Sequence, residues 1–125
     1  MRKFFASVAI AFVLSGTAYA QDFQKGWKAY EAGDYTTALQ ELKPLAEQGD
    51  ALGQIGLGHM YRFGSGVLQN NVVAHMWFNI ANANGNKLGG EYRDTISASM
   101  SLEAIEKAQT LARECMASGY QNCGS

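Results

Sequence analysis

Apolar side chains recur along this chain three and four residues apart. Phe23, Trp27 and Tyr30 fall at i, i+4 and i+7, and Ala38, Leu42, Leu45 and Ala46 continue the period on a second stretch. Ala51, Leu57, Gly58 and Tyr61 make a third, Ala74, Trp77, Phe78 and Ala81 a fourth, and Ile105, Ala108, Leu111, Ala112 and Cys115 a last. This is the period of one helix face; none of these stretches alternates as a half-buried strand does. Gly33-Asp34 reads as a tight turn, and Gly49 and Gly85 sit where a helix would stop in a left-handed residue. Ser101 is placed to cap the last helix, with acidic Glu103 in its first turn. The spacing predicts helices over Phe23–Ala32, Thr36–Gln48, Ala51–Phe63, Val72–Asn84, Leu88–Ala98 and Leu102–Ala117. Pro44 falls inside the second and predicts a kink or a shortened helix, because it lacks an N–H and crowds the preceding turn.

The pattern also repeats. Asp34-Tyr35-Thr36-Thr37-Ala38 overlays Asn70-Asn71-Val72-Val73-Ala74 at an offset of 36 residues, which brings Leu42 onto Phe78, Leu45 onto Ala81, Gly49 onto Gly85 and Asp50 onto Asn86. Upstream, Tyr30-x-x-Gly33 matches Tyr61-x-x-Gly64 at an offset of 31, so the second unit has five extra residues in its first turn. A period of this length marks helical hairpins that stack, since one hairpin cannot bury its apolar face alone. The expected fold class is all-α, with antiparallel hairpins stacked as a short right-handed α-solenoid.

The first twenty residues break the pattern. Arg2 and Lys3 precede an apolar run from Phe4 to Leu14, and Ala18-Tyr19-Ala20 supplies small residues at the cleavage positions. This order predicts a secretory signal peptide over 1–20, cut after Ala20, with a periplasmic or secreted product. The apolar run is too short for a membrane span, which needs roughly 20 residues. No membrane insertion is expected after cleavage.

Hydrophobic residues make up 47% of the 125 and charged residues 17%, a globular mixture. Ten Lys and Arg stand against 11 Asp and Glu; without Arg2 and Lys3, 8 bases face 11 acids, a net of −3. That balance argues against nucleic acid or anionic lipid as a partner.

Gln54-x-x-Leu57-Gly58-x-x-Tyr61-x-x-Gly64-x-Gly66-Val67, followed by Gln69-Asn70-x-x-x-Ala74-x-x-Trp77-Phe78-x-x-Ala81 and Gly85, resembles one complete Sel-one-like repeat, a relative of the tetratricopeptide repeat. Residues 22–50 resemble a degenerate first copy, 51–86 the complete repeat, and 87–125 the capping helices and tail of small secreted members, so that 21–125 form one repeat domain. Two departures from the family pattern fall at Asn70, where Asp is usual, and Asn82, where Ala is usual. Gly58 and Ala81 are small enough for close helix approach, and Tyr61 and Trp77 can fill the space between hairpins. Gly64-Ser65-Gly66 admits positive φ in the longer turn, with Val67 tucked back as an apolar plug. A phosphate-binding loop is the rival reading, but neither glycine-rich phosphate motif is present.

Cys115 and Cys123 have the seven-residue gap found in cysteine-rich secreted members of that family, and this resemblance, with export, implies a disulfide. A metal site and a reactive thiol are the alternatives; the nearest histidine in sequence, His75, is 40 residues back. The pattern carries no signature of chemistry: His59 and His75 lie in different helices with no zinc motif or paired carboxylates. Some cysteine-rich relatives are described as weak β-lactam hydrolases, yet the SxxK, SDN and KTG motifs are absent here.

The expected function is therefore binding rather than catalysis, with no cofactor and no metal. The partner would be an unknown protein or peptide, or a second copy of the chain. Ile55, His59 and Arg62 share the face of the third helix opposite its expected core and are the candidate contact residues. A weak β-lactam hydrolase and a purely structural periplasmic accessory are the other readings.

Overall fold

A computed structural model describes residues 22–124; the leader and its cleavage after Ala20 lie outside the described residues. Six helices follow one another, with no strand among the described residues: α1 Phe23–Glu31, α2 Tyr35–Glu47, α3 Ala51–Phe63, α4 Asn71–Ala83, α5 Lys87–Ser97 and α6 Leu102–Ala117.

Each helix begins on a short polar side chain that accepts from the otherwise unpaired N–H groups of the first turn. Asp22, Asp34, Asp50, Asn70, Asn86 and Ser101 fill this position in turn. Local chemistry thus sets the helix starts, and the expected boundaries agree to within one residue at every end. At Pro44 the helix is not shortened: α2 runs through it to Glu47. The carbonyl it deprives of a donor belongs to Gln40, which is exposed, so water can take the place of the missing N–H.

Consecutive helices pack from α1 through α5, and α6 then lies along α4. The 36-residue offset reappears in three dimensions. Asp34 and Asn70 cap α2 and α4, and Asp50 and Asn86 cap α3 and α5. Gly49 and Gly85 both turn the chain with left-handed backbone, at φ 91° and 97°. Ala38 and Ala74 are fully buried, as are Leu42 and Phe78. Gly53 lets α3 approach α2, since a β-carbon there would stand 2.6 Å from Leu45 Cβ; Gly89 does the same for α5, where a β-carbon would stand 2.5 Å from the Phe78 carbonyl oxygen.

The helices α3 and α4 carry the most buried residues. One apolar cluster joins Ala46, Leu57, Val73, Met76, Trp77 and Ile80 to Ala112 and Cys115 of α6. A second joins Ile55, Ala74, Phe78 and Ala81 to Ile96 of α5, and a third gathers Ala38, Leu42 and Met60 under α1. Trp77 is 2% exposed and lies in the first of these. In the long turn Gly64 and Gly66 take φ 67° and 77°, and Val67 packs back on the third cluster.

Cys115 and Cys123 are bonded to each other. The tail they close places Tyr120 beside Gly49, at the turn between α2 and α3. The Tyr120 hydroxyl accepts from Asn84 Nδ2 at 3.1 Å, and Asn84 also donates to Gln54 Oε1 at 3.0 Å. Fully buried Gln54 in turn donates to the Ala46 carbonyl at 3.1 Å. A polar chain therefore ties the tail to the ends of α2, α3 and α4.

Candidate functional site

Aromatic rings converge where α1, α3 and α5 come side by side. Along α1 the period that buries Gly26 also stacks Phe23 on Trp27, with centroids 6.1 Å apart, and Trp27 on Tyr30 at 5.0 Å. Tyr30 meets Tyr35 at 5.7 Å across the first turn. Trp27 reaches over to His59 on α3 at 6.2 Å. His59 stacks on Phe63 one helical turn later at 6.1 Å, and its ring meets the edges of Phe78 at 5.1 Å and Tyr92 of α5 at 4.5 Å. Phe63 is 59% exposed and carries the Arg62 guanidinium 5.0 Å above its ring, a cation–π contact.

His59 is the centre of this arrangement. Its Nδ1 is buried without a hydrogen-bond partner, and burial among rings, helped by the nearby Arg62 charge, pushes its pKa down to about 4. At neutral pH the imidazole is therefore uncharged and behaves as one more flat ring in the row.

Of the three expected contact residues, His59 and Arg62 are half-buried at this face. Ile55 is a correction: it is 8% exposed and packs with Ala74, Phe78, Ala81 and Ile96, so it does not face outward. Because α5 lies beside α3, the side of α3 that bears Ile55 faces a neighbour and not solvent. Trp27, Phe63 and Tyr92 belong to the face and were not singled out for it by sequence. A usable signal exists, since Trp27, His59 and Tyr92 recur 32 and 33 residues apart, one ring for each of α1, α3 and α5. The expected framework residues are internal or conformational: Leu57, Gly58, Ala74, Trp77 and Ala81 are buried, Tyr61 packs against two apolar clusters, and Gly64, Gly66 and Gly85 take positive φ.

A second polar group joins α4 to α5. His75 Nε2 lies 3.0 Å from Ser97 Oγ, and the Ser97 hydroxyl donates its one proton to the Arg93 carbonyl at 2.8 Å. Nε2 is therefore the donor to Ser97, and the imidazole cannot remove a proton from that hydroxyl in this arrangement. Nδ1 of His75 is buried without a partner, so no carboxylate orients the ring as in a nucleophile–base pair. Arg93 donates to Asn79 at 2.7 Å and pairs with Asp94 at 2.9 Å. Among the described residues no three His, Cys, Asp or Glu side chains converge, and no pocket opens. The aromatic face is a surface, suited to broad contact more than to enclosing a small molecule.

No protein-family model matches the chain, and comparisons with curated proteins and with solved structures returned no match.

Proposed function

We propose that this chain is an exported helical-repeat module that binds a protein or peptide across the face of α1, α3 and α5. The carrying observation is the row of rings centred on His59, with exposed Phe63 and its Arg62 partner at one end. Aromatic and Arg side chains are the types that anchor binding surfaces: rings bury large area at low cost in side-chain entropy, and Arg adds a planar fork of hydrogen-bond donors. The reading includes a short right-handed solenoid of the Sel-one-like class. Its support is the 36-residue recurrence of caps, left-handed glycines and close helix approaches. It also includes a cleaved leader over 1–20 and a periplasmic or secreted site of action; the bonded cysteine pair is compatible with such a compartment. No helix among the described residues is long and apolar enough to cross a membrane.

Site-specific crosslinking tests the proposal. A photoreactive residue at Phe63 should give a discrete adduct, and one at Leu102 of α6, which is 80% exposed, should give none. Trp27→Ala should abolish the adduct at 63. Equal labelling from both positions would defeat the binding face. A ladder of the chain itself would make the partner a second copy. Turnover of a chromogenic β-lactam by the folded protein, lost on denaturation, would instead support hydrolysis; the Ser97 geometry gives that reading less support.

A further inference from the structure

We propose that α5 is an acid-released helix, held against α3 and α4 by the chain's two histidines in their neutral form. The inference stands apart from the binding proposal, since it concerns only how α5 is held. Both histidines meet this one element: His59 from α3 packs on Tyr92, and His75 from α4 donates to Ser97. Its other side-chain anchors are Ile96 and Tyr92 on the second cluster and the Arg93 hydrogen bond to Asn79 at 2.7 Å. The buried residues of α5 are Gly89, Gly90 and Ile96, and the glycines bring backbone close without adding apolar side chains. The following helix does not cover it, because α6 lies along α4.

A proton on either ring would be placed badly. His59 is shown Trp27 by α1, Phe78 by α4 and Tyr92 by α5, and the charge acting on it is Arg62 of its own helix. His75 is shown Ser97, Arg93 and Asp94 by α5; Asp94 favours the proton, but burial and Arg93 oppose it. Among the described residues no carboxylate stands within ion-pair distance of either imidazole. When α5 leaves, both rings meet water and recover their ordinary affinity for protons, so acid favours the released state. Release uncovers Phe78, Ala81 and Ile55 and removes Tyr92 from the aromatic face.

Amide hydrogen exchange on the purified, disulfide-bonded protein tests this, with rates corrected for their intrinsic pH dependence. Protection at residues 92–97 should fall at least roughly tenfold between pH 7 and pH 5 and should lie below that of α2 and α6 at both values, because α5 opens without the rest. His59→Phe combined with His75→Gln should flatten the response of α5. Proton NMR titration of the wild-type rings supplies a check that needs no variant: both should titrate below the ordinary value of about 6.5. Protection in α5 that does not change with pH, protection in α5 equal to that of α2 and α6 at pH 5, or a ring titrating at the ordinary value would each overturn the proposal.

Discussion

The ring of Phe78 occupies the space that any side chain at position 58 would need. A β-carbon on Gly58 would stand 2.5 Å from Phe78 Cε1 and 2.7 Å from Cδ1, well inside van der Waals contact. Phe78 is fully buried between α3 and α5, so its ring has nowhere to withdraw. The two residues form a knob and a notch that set how closely α3 and α4 approach.

Gly58→Ala should therefore destabilise the protein despite alanine's better helix propensity. Overpacking costs about 1–3 kcal/mol, and the propensity gain returns up to about 1 kcal/mol. The expected net loss is about 1–2 kcal/mol, read as a lower midpoint in urea with an unchanged slope. A stabilised protein would show that Phe78 can move aside.

Gln54→Ala should cost about 2 kcal/mol, because it leaves Asn84 Nδ2 with one partner fewer and opens space in a fully buried site. The same change should loosen the tail, which reaches Gln54 through Tyr120 and Asn84. Faster amide exchange at residues 118–123 in the variant would register that loosening; unchanged exchange there would show that the polar chain is not coupled.

Reducing the Cys115–Cys123 bond should lower stability by about 2–3 kcal/mol, the loop-closure contribution of a bridge this short in sequence. The helices should persist, since Cys115 remains buried in the first cluster as a small apolar side chain. Urea melts with and without reductant, followed by far-ultraviolet circular dichroism, measure both. Collapse of helicity at zero urea on reduction would mean that the bridge is required for folding and does not merely add to stability.

Acid should weaken the fold in a window set by His59. Its folded pKa, about 4, lies below the unfolded value of 6.5. Between these values the unfolded chain takes up a proton that the folded chain refuses, so stability falls as pH drops from 6.5 toward 4 and this contribution levels off below 4. The lowered pKa of His75 acts in the same sense. His59→Phe should make the urea midpoint less dependent on pH across that range. An identical pH profile in the variant would show that His59 is not responsible.

Much of the fold was legible because its determinants are local. Helix starts follow from Asp, Asn and Ser caps, and turns from glycines that accept positive φ; both act within a few residues of themselves. The continuation of α2 through Pro44 was not legible for a related reason: propensity rules assign proline a cost, but whether the helix ends depends on whether water can reach the carbonyl it orphans.

The sequence alone determined six amphipathic helices and their ends, together with the 36-residue recurrence. It could not determine which sides of α3 and α4 would be covered. Hydrophobic period marks one apolar stripe per helix, whereas these two helices are covered on several sides, and so Ile55 is internal. Only the tertiary structure decided that Trp27, His59 and Tyr92 would meet, and that both histidines would bear on α5. Such contacts arise from the angles at which helices pack, which depend on the fit of side chains such as Phe78 into gaps such as Gly58, a property of pairs distant in sequence.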